Sequence, residues 1–398
     1  MRQPGELSPA LVLIMAVAVG LAVASNYYAQ PLLPTIALAF DLSPAKAGFI
    51  VTTAQMGYGL GLLLLVPLGD LMERRALVVG MALLTAAGLV ITATAPSIGL
   101  VLAGTALTGL FSVVAQVLVP FAATLAAPER RGKVVGTVMS GLLLGILLAR
   151  TVAGALANLG SWRTIYWVGA AGMVLAAAVL RRALPRHHQP LGLSYLGLMR
   201  SIADLFREEP ELRLRAVIGA SAFGAFAVLW TCVSFLLAAP PYGYSAGTIG
   251  LFGLAGLAGA LAASAAGRLG DRGHGGQATG WGLVILLLSW GVLAFAPRSL
   301  AALVAGILLL DLAVQGVHIS NQAALYRIRP EARNRLTAGY MTAYFAGGAI
   351  SSTLSAQAYT RAGWAGVMAV GAAVSAVGLV AWALAGRAAQ GAEGRTDP

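Results

Sequence analysis

The chain has 398 residues, of which 59% are hydrophobic and only 10% are charged. Soluble globular domains carry about 25% charged residues, so this composition excludes an ordinary soluble enzyme or binding protein. The formal net charge is +12; the positions of the basic residues explain it by membrane topology and contact with anionic lipid, without a nucleic-acid partner.

The first apolar stretch predicts a membrane-spanning helix that is retained in the mature protein. Between Glu6 and Asp41 there are 34 consecutive uncharged residues, more than the roughly 20 needed to cross a bilayer. The stretch is long and is followed by another apolar run, unlike a secretory signal. Apolar runs separated by loop residues predict twelve spans in chain order, at 11–36, 47–68, 76–95, 98–122, 134–156, 164–180, 214–238, 248–267, 279–296, 300–324, 336–358 and 365–384.

The basic residues set the orientation of these spans. With the N-terminus inside, almost every Lys and Arg falls in the inner loops, the tails or the connector at 181–213. The basic residues expected on the outer side are Lys46, Arg163, Arg298 and Arg361. This bias predicts that both termini are cytoplasmic. The 24 Arg against 2 Lys are typical of a GC-rich bacterial genome, which indicates the bacterial inner membrane.

The connector at 181–213 divides the chain. Apolar residues recur at helical spacing between Tyr195 and Phe206, a pattern typical of a helix lying on the inner membrane surface. We favour a simple tether over a regulatory role for it. The predicted domains are a six-helix half at 1–180, the connector at 181–213, a second six-helix half at 214–387 and a tail at 388–398.

The two halves resemble each other in sequence. At an offset of 201 or 202 positions the matching pairs are Asp70 with Asp271, Pro128 with Pro330, Glu129 with Glu331, Arg131 with Arg333, Met139 with Met341, Gly145 with Gly347 and Trp162 with Trp364. Six spans per half is an even number, so the halves are predicted to run parallel to each other. Parallel repeats of this size are found in major facilitator transporters.

Local motifs carry the same resemblance. Residues 69–75 read Gly-Asp-Leu-Met-Glu-Arg-Arg and residues 267–273 read Gly-Arg-Leu-Gly-Asp-Arg-Gly. Both resemble the span 2–3 loop motif of the major facilitator superfamily, Gly-x-x-x-Asp-Arg-x-Gly-Arg-Arg, and the second copy fits better. The resemblance implies an all-α polytopic membrane protein with twelve transmembrane helices in two parallel six-helix repeats, the major facilitator fold. It also implies that cytoplasmic gating residues include Asp70, Arg74, Asp271 and Arg272.

Span 10 has the densest polar stripe. Asp311, Gln315, His318 and Gln322 are spaced i, i+4, i+7 and i+11, so they share one helical face. Asp311 is near the predicted midplane, where a charge costs roughly 2.5–3.5 kcal/mol. A carboxylate and an imidazole can both bind and release protons, so Asp311 and His318 are the predicted proton-coupling residues. The alternative is structural: Asp311 anchors Arg150, and His318 bonds a neighbour.

Arg150 is the second isolated charge, within span 5. Residues 149–154 read Ala-Arg-Thr-Val-Ala-Gly and stand where the resembled family has its antiporter motif, Gly-Pro-x-x-Gly-Gly. We expect Arg150 to be either the charge partner of Asp311 or a clamp for an anionic substrate.

The resemblance implies that spans 1, 4, 7 and 10 line a central cavity. Pro31 and Pro34 are expected to break or bend span 1. The predicted cavity-lining residues are Asn26, Tyr27, Gln30, Thr108, Ser112, Gln116, Trp230, Gln315 and Gln322. Hydrogen bonding between helices is an equally good reading of the small polar residues among them.

The predicted function is secondary transport by alternating access. Similarity to the twelve-span drug/proton antiporter-like group implies proton-coupled export of a small organic molecule. The alternatives are proton-coupled uptake or exchange of an organic anion clamped by Arg150, and a non-transporting sensor on a transporter fold. We expect no enzyme activity, metal site, cofactor or nucleic-acid partner, because no nucleophile–base or metal-ligand constellation stands out. The expected partners are the substrate, protons and the lipid bilayer, for a monomeric protein.

Overall fold

The computed structural model describes residues 8–186, 194–256, 275–329 and 332–393, and all regular secondary structure in these ranges is helical. The α-helices are α1 Pro9–Ala24, α2 Leu33–Ala39, α3 Pro44–Leu64, α4 Arg74–Thr94, α5 Ile98–Phe111, α6 Val114–Leu125, α7 Arg131–Leu159, α8 Thr164–Ala183, α9 Tyr195–Glu208, α10 Pro210–Ala238, α11 Ala246–Leu251, α12 Gly275–Leu293, α13 Leu300–Ile328 and α14 Arg333–Glu393. Short 3₁₀ turns occupy Gln30–Leu32, Val66–Asp70 and Pro128–Arg130.

The helices confirm the all-α polytopic membrane fold. Eight segments of the described chain are long and apolar enough to cross a membrane, namely Pro44–Gly69, Arg74–Thr94, Ile98–Leu125, Pro128–Leu159, Thr164–Ala183, Pro210–Ala238, Leu300–Ile328 and Arg335–Gly386. Shorter apolar helices are Pro9–Ala24, Gln30–Ala39, Ala246–Gly256 and Gln277–Leu293. In chain order these segments are consistent with the twelve predicted spans. The first span is split in two, and the last long run covers spans 11 and 12.

α14 is interrupted where span 11 gives way to span 12. Its backbone leaves helical geometry at Ala362 and Gly363, and Gly363 has a φ of 56°. A positive φ is readily adopted by glycine, which has no Cβ to clash with the backbone. A glycine at this point therefore lets the chain turn between the two helical parts of α14.

The described chain divides into two compact units. Unit 1 comprises Met1–Leu42, Phe49–Leu198 and Gly243–Gly253, and unit 2 comprises Ser43–Gly48, Met199–Tyr242 and Leu254–Pro398. The predicted connector is divided between them, with its residues up to Leu198 in unit 1 and those from Met199 in unit 2. The start of span 2 belongs to unit 2, and the start of span 8 belongs to unit 1.

Span 1 is broken where its prolines predict. α1 ends at Ala24, a turn follows, and a 3₁₀ turn with Pro31 inside it leads into α2. Proline lacks the N–H that continues a helical ladder, so the chain has to change its hydrogen bonding here. Tyr27 N instead donates to Ala24 O at 2.9 Å. The break places the polar segment around Gln30 at a corner of the chain.

Small residues bring α1 and α7 of unit 1 into close contact. A Cβ atom added at Gly20 would lie 2.7 Å from Gly141 O, and one at Gly145 would overlap Gly20 O. Such close backbone approach is the packing that small residues allow between membrane helices. Arg150 is five residues after Gly145, about 7.5 Å further along α7, which brings it to the break in span 1.

The predicted connector helix is present as α9. Leu198, Ile202 and Leu205 are buried on one face of it. In unit 2, the Phe206 ring packs so closely on α14 that a Cβ at Gly339 would lie 2.7 Å from Phe206 Cε2. The part of α9 in unit 2 is therefore packed against α14.

Candidate functional site

Arg150 is the centre of a buried polar site in unit 1. Its side chain is 2% exposed, and its Nε donates to Gln30 Oε1 at 2.6 Å. Its Cζ lies 5.0 Å from the centroid of the Tyr27 ring, within the range of a cation–π interaction. A Cβ at Gly253 would lie 3.1 Å from Arg150 Cβ, so a small residue leaves room for the arginine. Three predicted site residues, Arg150, Gln30 and Tyr27, are thus in contact.

Asn26 and Ser112 form a second polar contact in unit 1. Asn26 Nδ2 donates to Ser112 Oγ at 2.6 Å, and Ser112 Oγ donates to Gly109 O at 3.0 Å. Asn26 Oδ1 is buried without a hydrogen-bond partner among the described residues. Buried carbonyl oxygens are normally satisfied, so this atom is suited to accept a bond from a ligand or water. Gln116 bonds the Tyr58 hydroxyl.

Thr108 packs against a different neighbour from Ser112. A Cβ at Gly88 of α4 would lie 2.6 Å from Thr108 Oγ1, which places this side chain in the α4–α5 contact. α5 ends at Phe111 and α6 begins at Val114. Ser112 N still donates to Thr108 O at 2.9 Å, so the regular helical spacing is interrupted between Ser112 and Gln116. Thr108 Oγ1 is buried without a hydrogen-bond partner among the described residues, so the cavity-lining role of Thr108 stays a prediction.

Asp311 is buried in unit 2 against an indole. Its side chain is 5% exposed, and Trp230 is 2% exposed. Trp230 Nε1 donates to Asp311 Oδ1 at 3.3 Å, which joins α10 to α13. A Cβ at Gly256 would overlap Asp311 Oδ2, so that position too requires glycine. Two predicted site residues on different helices are therefore bonded directly.

His318 has hydrogen-bond partners at both ring nitrogens. Nδ1 lies 3.1 Å from the Tyr340 hydroxyl, and Nε2 lies 3.1 Å from the Gln322 amide. The Tyr344 ring centroid is 4.9 Å from that of His318. The predicted contact between His318 and Gln322 follows from their i, i+4 spacing, and Gln315 is half-buried on the same helix.

Arg215, which was not expected from the sequence, joins three helices next to this site. Its Nη1 donates to Asn321 Oδ1 of α13 at 3.2 Å and to Thr279 Oγ1 of α12 at 3.2 Å. Its Nε donates to Glu211 of its own helix at 2.7 Å. Asn321 Nδ2 in turn donates to the Tyr340 hydroxyl at 3.4 Å. The one sequence signal for this network was Asn321, the amide residue that directly precedes Gln322.

Aromatic rings extend from Trp230 toward His318 in unit 2. Trp230 and Phe226 have centroids 6.1 Å apart, and Phe223 stacks on Tyr344 at 4.3 Å. Phe223 and Phe226 stack at 5.4 Å. The proton-binding candidates Asp311 and His318 therefore lie at the two ends of a continuous aromatic cluster.

Of the predicted gating residues, Arg74 is described in full. Its Nε donates to Gly69 O at 3.0 Å, and its Nη1 donates to Thr124 Oγ1 at 3.2 Å. Its Cζ lies 5.8 Å from the Phe121 ring centroid. Arg74 thus ties the loop after span 2 to the end of span 4. The Asp70 side chain, Asp271 and Arg272 lie outside the described residues.

Comparison with known sequences gives a consistent picture. The sequence profile of the Major Facilitator Superfamily matches residues 15–277. The uncharacterized transporter YgaY of Escherichia coli O157:H7 is 60% identical over 377 residues, covering 95% of this chain and 96% of YgaY. The 3-(3-hydroxy-phenyl)propionate transporter of Escherichia coli K12 is 27% identical over 203 residues, covering 51% of this chain and 47% of that protein.

A solved structure has the same fold. The nucleoside transporter NupG superposes with a TM-score of 0.78 at 13% identity, covering 94% of this chain and 99% of that one. At this identity the likeness concerns the fold alone.

Proposed function

The chain belongs to the Major Facilitator Superfamily, and on that premise we propose that it exports a small organic molecule by proton-coupled alternating access. Asp311 and His318 bind the coupling protons in this proposal. The protein acts as a monomer in the bacterial inner membrane, with both termini in the cytoplasm. Asp70, Arg74, Asp271 and Arg272 control the cytoplasmic side.

The buried bond between Trp230 and Asp311 carries the proposal. A carboxylate that is 5% exposed inside a membrane-spanning helix is costly while it is ionised, and binding a proton removes that cost. Trp230 Nε1 donates to this carboxyl. Because hydrogen bonds to ionised acceptors are roughly twice as strong as neutral ones, protonation weakens the link between α10 and α13. Proton binding can thus alter how two spans are held together.

A second candidate function is transport of an organic anion, and the Arg150 site favours it. The Gln30 oxygen that accepts from Arg150 belongs to a neutral amide. This bond therefore does not neutralise the positive charge of the guanidinium. A guanidinium pairs well with carboxylates, and the Tyr27 ring beside it suits an aromatic ligand. The relative named for 3-(3-hydroxy-phenyl)propionate suggests a probe that combines both groups.

Transport into proteoliposomes with an imposed pH gradient tests proton coupling. Ethidium serves as the cation probe and 3-(3-hydroxyphenyl)propionate as the anion probe. We expect the pH gradient to drive at least one probe in the wild type, Asp311→Asn to lose that response, and Asp311→Glu to keep part of it. If the Asp311→Asn variant keeps the pH-driven transport rate of the wild type, Asp311 does not couple protons.

A substitution at Arg150 separates the two candidate substrates. We expect Arg150→Met to abolish binding of the anion probe if Arg150 is the clamp, with little change for the cation probe. Arg163→Met is the matched control, because Arg163 is an arginine of the same unit whose Nη2 bonds Ala95 O. Equal loss of both probes in Arg150→Met contradicts an anion clamp.

A further inference from the structure

The donor direction of the bonds that lead from Arg215 to Tyr340 is set at the Arg215 guanidinium. The Arg215 guanidinium can only donate, so the atom of Asn321 facing its Nη1 must be the amide oxygen. The Asn321 nitrogen is then left to donate to Tyr340 Oη. A tyrosine hydroxyl can accept one bond and still donate its own proton, so Tyr340 can donate to His318 Nδ1, 3.1 Å away.

The last bond of the chain follows from the neutral imidazole. One ring nitrogen of a neutral histidine accepts and the other donates. If Nδ1 accepts from Tyr340, the proton is on Nε2. The atom of Gln322 that lies 3.1 Å from His318 Nε2 is its amide nitrogen, which can only donate. Rotation of the amide by 180° exchanges its nitrogen and oxygen, and the chain requires this rotated amide, whose oxygen accepts from Nε2.

We propose that Arg215, Asn321 and Tyr340 form a one-way hydrogen-bond chain that holds neutral His318 with its proton on Nε2. Arg215 is therefore a positioning residue for this histidine, acting through two intermediates. The chain joins α10, α13 and α14 within unit 2. The proposal rests on the proposed role of His318 in proton coupling.

Proton uptake by His318 reverses one bond of the chain. When a proton from water binds to Nδ1, this nitrogen becomes a donor and Tyr340 Oη becomes its acceptor. The Tyr340 oxygen then accepts from both Asn321 and His318, so its own hydroxyl proton turns away. The described titratable groups around the imidazole are Tyr340 and Tyr344 of α14, with Arg215 reached through Asn321.

The ring of Tyr340 is held in place by its packing on α10. A Cβ at Gly219 would lie 2.7 Å from Tyr340 Oη, and Tyr340 is fully buried. The hydroxyl therefore has little freedom to move with the ring, and rotation of its proton is the available response. This makes the donor direction at Tyr340 a direct consequence of the state of His318.

The tautomer of His318 tests the chain without any substrate. In ¹⁵N-labelled protein in lipid nanodiscs, ring-nitrogen shifts distinguish the two neutral tautomers, and the His318 signals are those absent in His318→Gln. We expect the wild type above the titration range to show only the tautomer protonated at Nε2. In Arg215→Met the Asn321 amide is no longer oriented, so we expect the second tautomer to appear. Arg215→Lys keeps a donor and should retain the single tautomer.

Arg213→Met is the matched control on the same helix. Arg213 donates to the carbonyls of Phe206 and Arg207 at 2.7 Å, away from the chain, so the His318 tautomer should not change. Two tautomers in the wild type, or one unchanged tautomer in Arg215→Met, overturn the proposal. If Arg215→Met does not fold, Tyr340→Phe takes its place. Loss of the Tyr340 hydroxyl should also allow the second tautomer of His318 to appear. An unchanged single tautomer in Tyr340→Phe would overturn the proposal as well.

Failure of the proposed function gives a different result. If His318→Gln and Asp311→Asn both keep full pH-driven transport, proton coupling at these residues is wrong, whatever tautomer His318 adopts. The tautomer measurement alone decides whether Arg215 positions His318.

Discussion

Arg150 Nε donates to Gln30 Oε1 at 2.6 Å, and this bond joins the middle of α7 to the break in span 1. The close packing of α1 on α7 through Gly20 and Gly145 brings the two side chains together. The partner in this bond is a neutral amide, and the charge of the guanidinium is unchanged by it. Replacing that amide by a carboxylate of the same shape is therefore an informative change.

Gln30→Glu should weaken binding of the anion probe. A carboxylate at this position pairs with Arg150, and a charge-assisted bond of this kind is about twice as strong as a neutral one. We expect at least a tenfold loss of affinity for the anion probe, measured by calorimetry, with a raised melting temperature. Asn158→Asp is the control in the same unit, because this exposed amide donates to Ser245 Oγ at 3.1 Å and has no part in the predicted site. Unchanged anion affinity in Gln30→Glu would count against a ligand site at Arg150.

Trp230→Phe should reduce proton-driven transport while the aromatic cluster is kept. The phenyl ring retains most of the apolar surface but cannot donate to Asp311 Oδ1. A hydrogen bond to a charged group contributes about 1.5–3 kcal/mol, so we expect roughly a tenfold or greater fall in the pH-driven rate. Trp290→Phe is the control, since it removes an equivalent indole bond to Ser375 elsewhere in unit 2. Equal effects of the two substitutions indicate lost packing instead of lost coupling.

The contacts that the sequence predicts best are those within one helix. Asp311, His318 and Gln322 recur at helical spacing, and α13 does place His318 and Gln322 in contact. The break in span 1 was equally predictable, because Pro31 and Pro34 cannot continue a helical ladder.

Contacts across helices depend on how each helix is rotated, which periodicity does not report. Tyr340 reaches His318 because Gly219 allows its ring to lie against α10, and the sequence has no signal for that pairing. Thr108 shows the opposite case. It keeps its helical spacing with Ser112, whose N donates to Thr108 O at 2.9 Å, yet the Thr108 hydroxyl lies next to Gly88 of α4 and the Ser112 hydroxyl accepts from Asn26.

Gly145→Ala should destabilise unit 1. The added methyl group would overlap Gly20 O in the α1–α7 contact, and overpacking of this kind costs about 1–3 kcal/mol. We expect a clear fall in the melting temperature of the purified protein, measured by thermal unfolding in detergent. Gly136→Ala is the matched control on α7, because a Cβ there has no neighbour within 4 Å. If both variants melt alike, close packing at Gly145 does not hold the helices together.

The connector should be released from unit 2 by reversing the charge at Arg329. Its guanidinium bonds Glu208 at 3.0 Å and Glu209 at 2.7 Å, and the hydrogen bond from Glu208 raises the pKa of Arg329. The arginine is charged at every working pH, so ionic strength is the useful variable. Because screening weakens exposed ion pairs, we expect faster hydrogen exchange of α9 in Arg329→Glu and, at high salt, in the wild type.

Arg207→Ala is the control for this experiment. Arg207 pairs only with Asp204 of the same helix among the described ion pairs, and both side chains are largely exposed. Exposed pairs of this kind contribute about 0–1 kcal/mol, so its loss should leave the exchange of α9 almost unchanged. If Arg329→Glu also leaves the exchange unchanged, the packing of Phe206 against Gly339 holds the connector without help from the ion pairs. Phe206→Ala should then be the substitution that releases it.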